Sequence, residues 1–210
     1  FYMKTAVTKE GKLLSLHMRP ISNNGAYASH GHTIVMSAGG KFRLLYDFNS
    51  IKYEPKTVYT NLPAAGAMRG YGCPQIFFAL ESHIEDIARE MKMDPIEFRK
   101  QNLISVGKKD PHSEIVVRTF GLPECIEKGK QLIKWDEKLE KYKEQKGTKR
   151  RGLGMACFSY ATGTYPHGFE IAGARIFMNQ DGSVQLQVGA TEIGQGSDTV
   201  LSQIAAEVLG

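Results

Sequence analysis

The sequence predicts an α+β fold in two lobes, and three observations carry that prediction. Strand-like periodicity comes first, then helical periodicity, then two strands and a helix again. That is the order of an α+β chain and not of regularly alternating βαβ units. A basic, polar stretch from Lys141 to Arg151 separates the two runs. The expected organisation is therefore a first lobe over 1–140, a linker over 141–151 and a second lobe over 152–210.

The elements follow in order. Thr5–Lys9 and Lys12–Ile21 flank Glu10-Gly11, and Leu14, Leu16 and Met18 alternate with polar neighbours, which predicts a hairpin. Asn23-Asn24-Gly25 is a turn, and 26–37 has no clear periodicity. Phe42–Phe48 and Lys56–Thr60, rich in aromatic and β-branched residues, read as strands. A helix starts near Pro74, where a missing N–H costs nothing, and Ile76, Leu80, Ile84, Ile87, Ala88 and Met91 form its apolar stripe. Asp94-Pro95-Ile96-Glu97 opens another helix, with Asp94 as cap and Glu97 placed to close a capping box. Leu122–Lys146 reads as one helix and Leu153–Tyr160 as a strand. A hairpin across Gln180-Asp181-Gly182 leads through the Gly-rich stretch Gly189–Gly196 into a helix from Asp198, with Ile204, Ala205 and Val208 on one face.

Composition narrows the classes. Of 210 residues, 41% are hydrophobic, enough for a packed core and too many for a disordered chain. No run approaches the roughly 20 apolar residues of a membrane span, and no leader opens the chain. Phe1 stands first instead of Met, and both ends read as cut from a longer chain. Cys73, Cys125 and Cys157 are dispersed, without zinc or iron–sulfur spacing. They read as small buried hydrophobes in a reducing, cytoplasmic compartment. The net charge of +5 is concentrated partly in 141–151, which lacks interleaved aromatics and reads as a solvated linker, not a nucleic-acid footprint.

Two segments carry chemistry. In Thr60–Gln75, Arg69 precedes Gly70, Tyr71 and Gly72 just before a helix start. Small residues let backbone N–H groups approach a ligand, and a guanidinium bonds oxygens in pairs. The same pattern also serves as a plain structural turn. In Gly189–Thr199, Gln195 between Gly194 and Gly196 offers both donor and acceptor, as a pterin ring requires. No Gly-Lys-Ser/Thr follows, so it is not a P-loop, and no Rossmann unit surrounds it.

Together these segments are far more specific. Ala-Met-Arg-Gly-Tyr-Gly-Cys-Pro-Gln around Arg69 and Gly-Ala-Thr-Glu-Ile-Gly-Gln-Gly from Gly189 resemble the two cofactor-facing segments of the xanthine dehydrogenase and aldehyde oxidase family. Asn24-Gly25-Ala26-Tyr27-Ala28 and Asp181-Gly182-Ser183 are similar to that family too. The resemblance implies a fragment of a molybdenum hydroxylase subunit, which hydroxylates an N-heterocycle or an aldehyde with water-derived oxygen. It implies a molybdopterin cofactor, as the mononucleotide or the cytosine dinucleotide form, with 2Fe-2S and FAD on partner domains or subunits. It places Arg69 beside molybdenum without ligating it, and Ile193, Gly194 and Gln195 along the pterin. Tyr71 and Tyr165 would pack on substrate.

The departures are equally specific. The family's general-base glutamate has no counterpart here, so the isolated chain is expected to be inactive. Ser37 stands where purine-oxidising members carry an arginine, which argues against xanthine. Glu192 matches a structural glutamate, not the base. His30 and His32 lack a third ligand and read as loop residues, and His83, Glu85 and Asp86 as a solvated helix face. A non-catalytic assembly fragment is the competing reading.

Overall fold

The computed structural model of the chain describes residues 1–160 and 171–210. The chain divides into two compact units, 1–160 and 161–210.

In the first unit, β1 (Tyr2–Val7) and β2 (Leu13–Arg19) form the expected antiparallel hairpin, and β2 pairs in parallel with β4 (Ser50–Tyr53). A second, two-stranded parallel sheet joins β3 (Ile21–Gly25) to β5 (Lys56–Tyr59). Pro20 and Pro55 fall between β2 and β3 and between β4 and β5. Neither can donate to a ladder, so one long parallel pairing is split into two at their level.

One side of the three-stranded sheet is buried by helices. α1 (Gly31–Gly39) forms where the sequence showed no clear periodicity. α2 (Cys73–Glu90) buries Ile76, Phe77, Leu80, Ile84 and Ala88, close to the predicted stripe. Thr5 Oγ1 and His83 Nε2, 2.9 Å apart, tie β1 to α2. α3 (Pro95–Asn102) is capped by Asp94, whose carboxylate accepts from the Ile96 and Glu97 N–H groups. Glu97 does not close the box; its carboxylate accepts from Lys100 at 3.2 Å. Buried Asn102 locks α3 to the hairpin: its side chain accepts from the Leu13 N–H at 2.9 Å and donates to the Gly11 carbonyl at 2.8 Å.

Several expectations are corrected. Phe42–Phe48 is not a strand. It makes a 3₁₀ turn at Phe42–Leu44 and a single bridge from Tyr46 to Leu103. Its aromatics mark burial instead of pairing: Phe42, Leu45, Tyr46 and Phe48 are all in the core. The helix expected over Leu122–Lys146 is two, α4 (Leu122–Ile133) and α5 (Trp135–Lys141), broken where Lys134 is left-handed at φ 54°. Leu153–Tyr160, expected as a strand, forms no ladder among the described residues. Cys73 and Cys157 are buried as expected, whereas Cys125 is exposed. Apart from those corrections, Leu153, Met155 and Cys157 pack on the core of the first compact unit, which extends to residue 160.

In the second unit β6 (Ala174–Met178) and β7 (Val184–Val188) form the predicted antiparallel hairpin. Asp181 shapes its turn by accepting from the Ser183 N–H and hydroxyl at 2.9 and 2.7 Å. α6 (Ser197–Leu209) follows the Gly-rich loop. None of this unit's described residues is buried. Among the described residues, no helix is long and apolar enough to cross a membrane.

Candidate functional site

The Arg69 loop is built by close backbone approach. Gly70, Tyr71 and Gly72 all have positive φ, at 97°, 28° and 88°. The sequence supplies glycine at two of these positions, where left-handed backbone costs least. Tyr71 takes the strain, and such strained residues gather at functional sites. The chain then enters α2 through the Cys73 N–H to Gly70 carbonyl bond at 2.8 Å. Gly72 has no room for a side chain: a Cβ there would lie 2.6 Å from the Ile34 carbonyl oxygen and 2.9 Å from the Ala38 Cβ. The start of α2 and the end of α1 therefore touch backbone to backbone.

Tyr71 is committed to α1. Its hydroxyl bonds the Thr33 hydroxyl and lies 3.4 Å from His30 Nδ1, and its ring meets the His30 imidazole edge-on. Arg69, with Gly70 and Cys73, lines one side of a cavity of about 960 Å³ within the first unit. Phe77 and Phe78 of α2 and Phe158 and Tyr160 of residues 153–160 line it as well. Burial pushes the Cys73 thiol pKa up, which keeps it protonated and unreactive.

The same cavity is also lined by a group of residues that sequence reasoning missed. Glu81, on α2, and Arg99, on α3, form a buried ion pair with Arg99 Nε donating to Glu81 Oε2 at 2.9 Å. The same carboxylate accepts from the Tyr46 hydroxyl at 2.6 Å and from the Cys157 N–H at 2.8 Å. Arg99 also donates to Glu85 Oε2 at 2.8 Å and to the Pro95 carbonyl at 3.1 Å. Burial works against the Arg99 charge, but Glu81 more than offsets it, so the guanidinium pKa is raised. Burial, with Glu81 adding to it, lifts the Cys157 thiol to about 11. The expectation of a solvated 83–86 face is thus corrected at two positions: Glu85 braces Arg99, and His83 is half-buried against Thr5.

In the second unit, the Gly-rich loop is organised around Glu192. Its carboxylate accepts from the Gly194 N–H at 2.5 Å, the Gly196 N–H at 3.2 Å, the Ser197 hydroxyl at 2.9 Å and the Asp198 N–H at 3.4 Å. Those hydrogen bonds, Gly196 first, pull its pKa down to about 2. Glu192 is therefore structural, and it occupies the N–H groups of the loop that could otherwise receive an anion. Gln195 closes the loop from the other side, accepting from the Ile193 N–H at 2.7 Å and donating to the Thr191 carbonyl at 2.9 Å. Its amide retains one N–H and a carbonyl lone pair, a pairing that suits a neutral heterocycle. Tyr165 lies outside the described residues. Among the described residues, no cluster of three or more His, Cys, Asp or Glu side chains could hold a metal ion.

Comparison with known proteins defines the class. A family model described as a molybdopterin cofactor-binding domain matches residues 1–103, and a second of the same description matches residues 128–210. The xanthine dehydrogenase molybdenum-binding subunit of Escherichia coli O157:H7 is 48% identical over 97% of this chain and 27% of its own length. The aldehyde oxidoreductase of Megalodesulfovibrio gigas is 29% identical over 99% of this chain and 22% of its own. Quinoline 2-oxidoreductase from Pseudomonas putida 86 superposes with a TM-score of 0.77 at 25% identity, covering 99% of this chain and 28% of that one. The chain belongs to the xanthine dehydrogenase and aldehyde oxidase family of molybdopterin-binding proteins. It spans about a quarter of the length of the curated relatives it matches.

Proposed function

We propose that this chain forms two cofactor-facing walls of the molybdenum-binding subunit of a cytoplasmic hydroxylase acting on an N-heterocycle or an aldehyde. In this reading residues 1–140 belong to the first molybdopterin-binding domain and 152–210 to the second. The observation that carries it is the donor set of the Gly189–Thr199 loop. The backbone amides that would grip an anion are taken by Glu192, while the Gln195 amide keeps a donor and an acceptor for a pterin edge.

When bound, the molybdenum cofactor supplies the two-electron oxidation that lets water-derived oxygen enter the substrate, with 2Fe-2S and FAD partners taking the electrons. The chain's own residues do the rest of what is proposed here. Gln195 hydrogen-bonds the pterin, and Ile193 and Gly194 border it. Arg69 would lie beside the molybdenum without ligating it, where its planar guanidinium would donate paired hydrogen bonds to oxygen atoms of the bound group. Packing on the substrate is assigned to Tyr71 and to Tyr165, the latter outside the described residues. In this reading the general-base carboxylate is supplied by another part of the subunit.

The test is molybdenum and pterin content of the purified full-length subunit, wild type against Gln195→Leu and Arg69→Met. We expect stoichiometric cofactor in the wild type and a large loss in Gln195→Leu. Full retention in both variants would refute the assignment, and a wild-type subunit without pterin would favour a non-catalytic assembly role.

A further inference from the structure

The Glu81–Arg99 pair is an expensive way to fill a core. Removing two charges from water costs several kcal/mol each, and a pair of apolar side chains of similar volume is commonly as stable or more so. What the pair adds is direction. Glu81 collects donors from three separate parts of the chain: the Tyr46 hydroxyl, the Arg99 guanidinium and the Cys157 backbone N–H.

The third of these donors matters most. Residues 153–160 form no strand with any described residue, so no ladder among the described residues fixes their position. Their backbone is held at Cys157 by Glu81, and the Ser159 hydroxyl adds a bond to the Lys41 carbonyl at 2.5 Å. This same segment forms the cavity wall that faces α2 and the Arg69 loop, through Leu153, Met155, Phe158 and Tyr160. Glu81 projects from the middle of α2, whose first turn follows Arg69 directly. One carboxylate therefore sets where the wall stands relative to the helix that carries the Arg69 loop.

We propose that Glu81 and Arg99 are positioning residues for the cofactor side of the subunit: Glu81 holds the 153–160 wall in place, and Arg99 holds the Glu81 carboxylate in its orientation. The inference rests on the function proposed above for its second half, the effect on cofactor. Its first half, the placement of the wall, is independent of that function.

The experiment uses the full-length subunit and two double variants. E81M/R99M replaces the pair by apolar side chains and removes the acceptor for Cys157. E81Q/R99M is neutral too but restores a carbonyl acceptor at the same place. Hydrogen exchange at the Cys157 amide is expected to accelerate about 10- to 100-fold in E81M/R99M, the equivalent of one charge-assisted hydrogen bond, with the urea midpoint held. E81Q/R99M is expected to recover most of that protection. Molybdenum and pterin content should fall in the first variant and recover in the second. Unchanged Cys157 exchange in E81M/R99M would overturn the inference, as would lost protection with full cofactor loading. If E81M/R99M does not fold, E81Q/R99M decides: a Cys157 amide as fast as its exposed neighbours overturns the inference, and a protected one supports it. A wild-type subunit without pterin would overturn the proposed function whatever the exchange result, which keeps the two failures apart.

Discussion

Replacing Gly72 by alanine tests whether the Arg69 loop depends on backbone contact between α1 and α2. Two costs add. Gly72 has φ +88°, and a left-handed alanine costs about 1–2 kcal/mol. The new Cβ would also stand 2.6 Å from the Ile34 carbonyl oxygen, a helix backbone atom that cannot swing aside. Overpacking of that kind costs about 1–3 kcal/mol. The expected total is about 2–5 kcal/mol. Two controls separate the terms. Gly107 has φ +91° and nothing within 4 Å, so Gly107→Ala reads the backbone term alone. Gly66 has open space and no positive φ, so Gly66→Ala should change stability by under about 0.5 kcal/mol. The assay is urea unfolding followed by tryptophan fluorescence. Trp135 is the chain's single tryptophan and is buried in the first unit, so the signal reports that unit. With a urea slope of about 2 kcal/mol per molar, Gly72→Ala should lower the midpoint by about 1–2.5 M. A Gly72→Ala midpoint equal to that of Gly107→Ala would refute the close approach.

Three further predictions use other parts of the molecule. Asp94→Ala removes the cap that serves the Ile96 and Glu97 N–H groups, and should destabilise the first unit by about 1 kcal/mol in the same assay. Burial lowers the His83 pKa, so the unfolded chain binds its proton first. Its contribution to stability is complete above the unfolded value near 6.5 and is lost as pH falls from there through the folded value. The wild-type urea midpoint should drop over that window, and His83→Gln, which keeps a partner for Thr5, should show a flatter dependence. A thiol reagent at pH 8 should label Cys125 quickly while Cys73 and Cys157, both buried and with raised pKa values, react only on unfolding. Rapid labelling of a second cysteine in the native protein would contradict the burial described.

What the sequence made legible was local. The α2 stripe and the Asp94-Pro95 start are signals that a few neighbouring residues write by themselves, and both elements form where those residues stand. The Arg69 and Gln195 loops were legible as a resemblance carried by the glycines around them. The Phe42–Phe48 segment misled because aromatic and β-branched residues signal burial as strongly as pairing, and here burial won. The helix break at Lys134 has no glycine or proline to announce it. Glu81 and Arg99 were invisible as a pair because they lie 18 positions apart on different helices. A usable signal was present nonetheless. Glu81 falls one turn after Phe77 and three residues before Ile84, and Arg99 falls three after Ile96. A charge on an apolar stripe needs a partner, and each of these stripes carries one.

The way Glu192 fills its own loop has a thermodynamic consequence. A glycine-rich loop that ordered only around its ligand would lose backbone entropy at the moment of binding, about 1 kcal/mol or more for each residue fixed. Here the loop carries an internal counter-ion, and its amides are already committed to a covalently attached carboxylate. The ordering cost is met during folding, so under the proposed function a ligand at Gln195 would meet a preorganised surface and keep more of its contact energy as affinity. A neutral glutamine at position 192 would loosen the loop without touching a ligand, and would weaken binding through entropy alone.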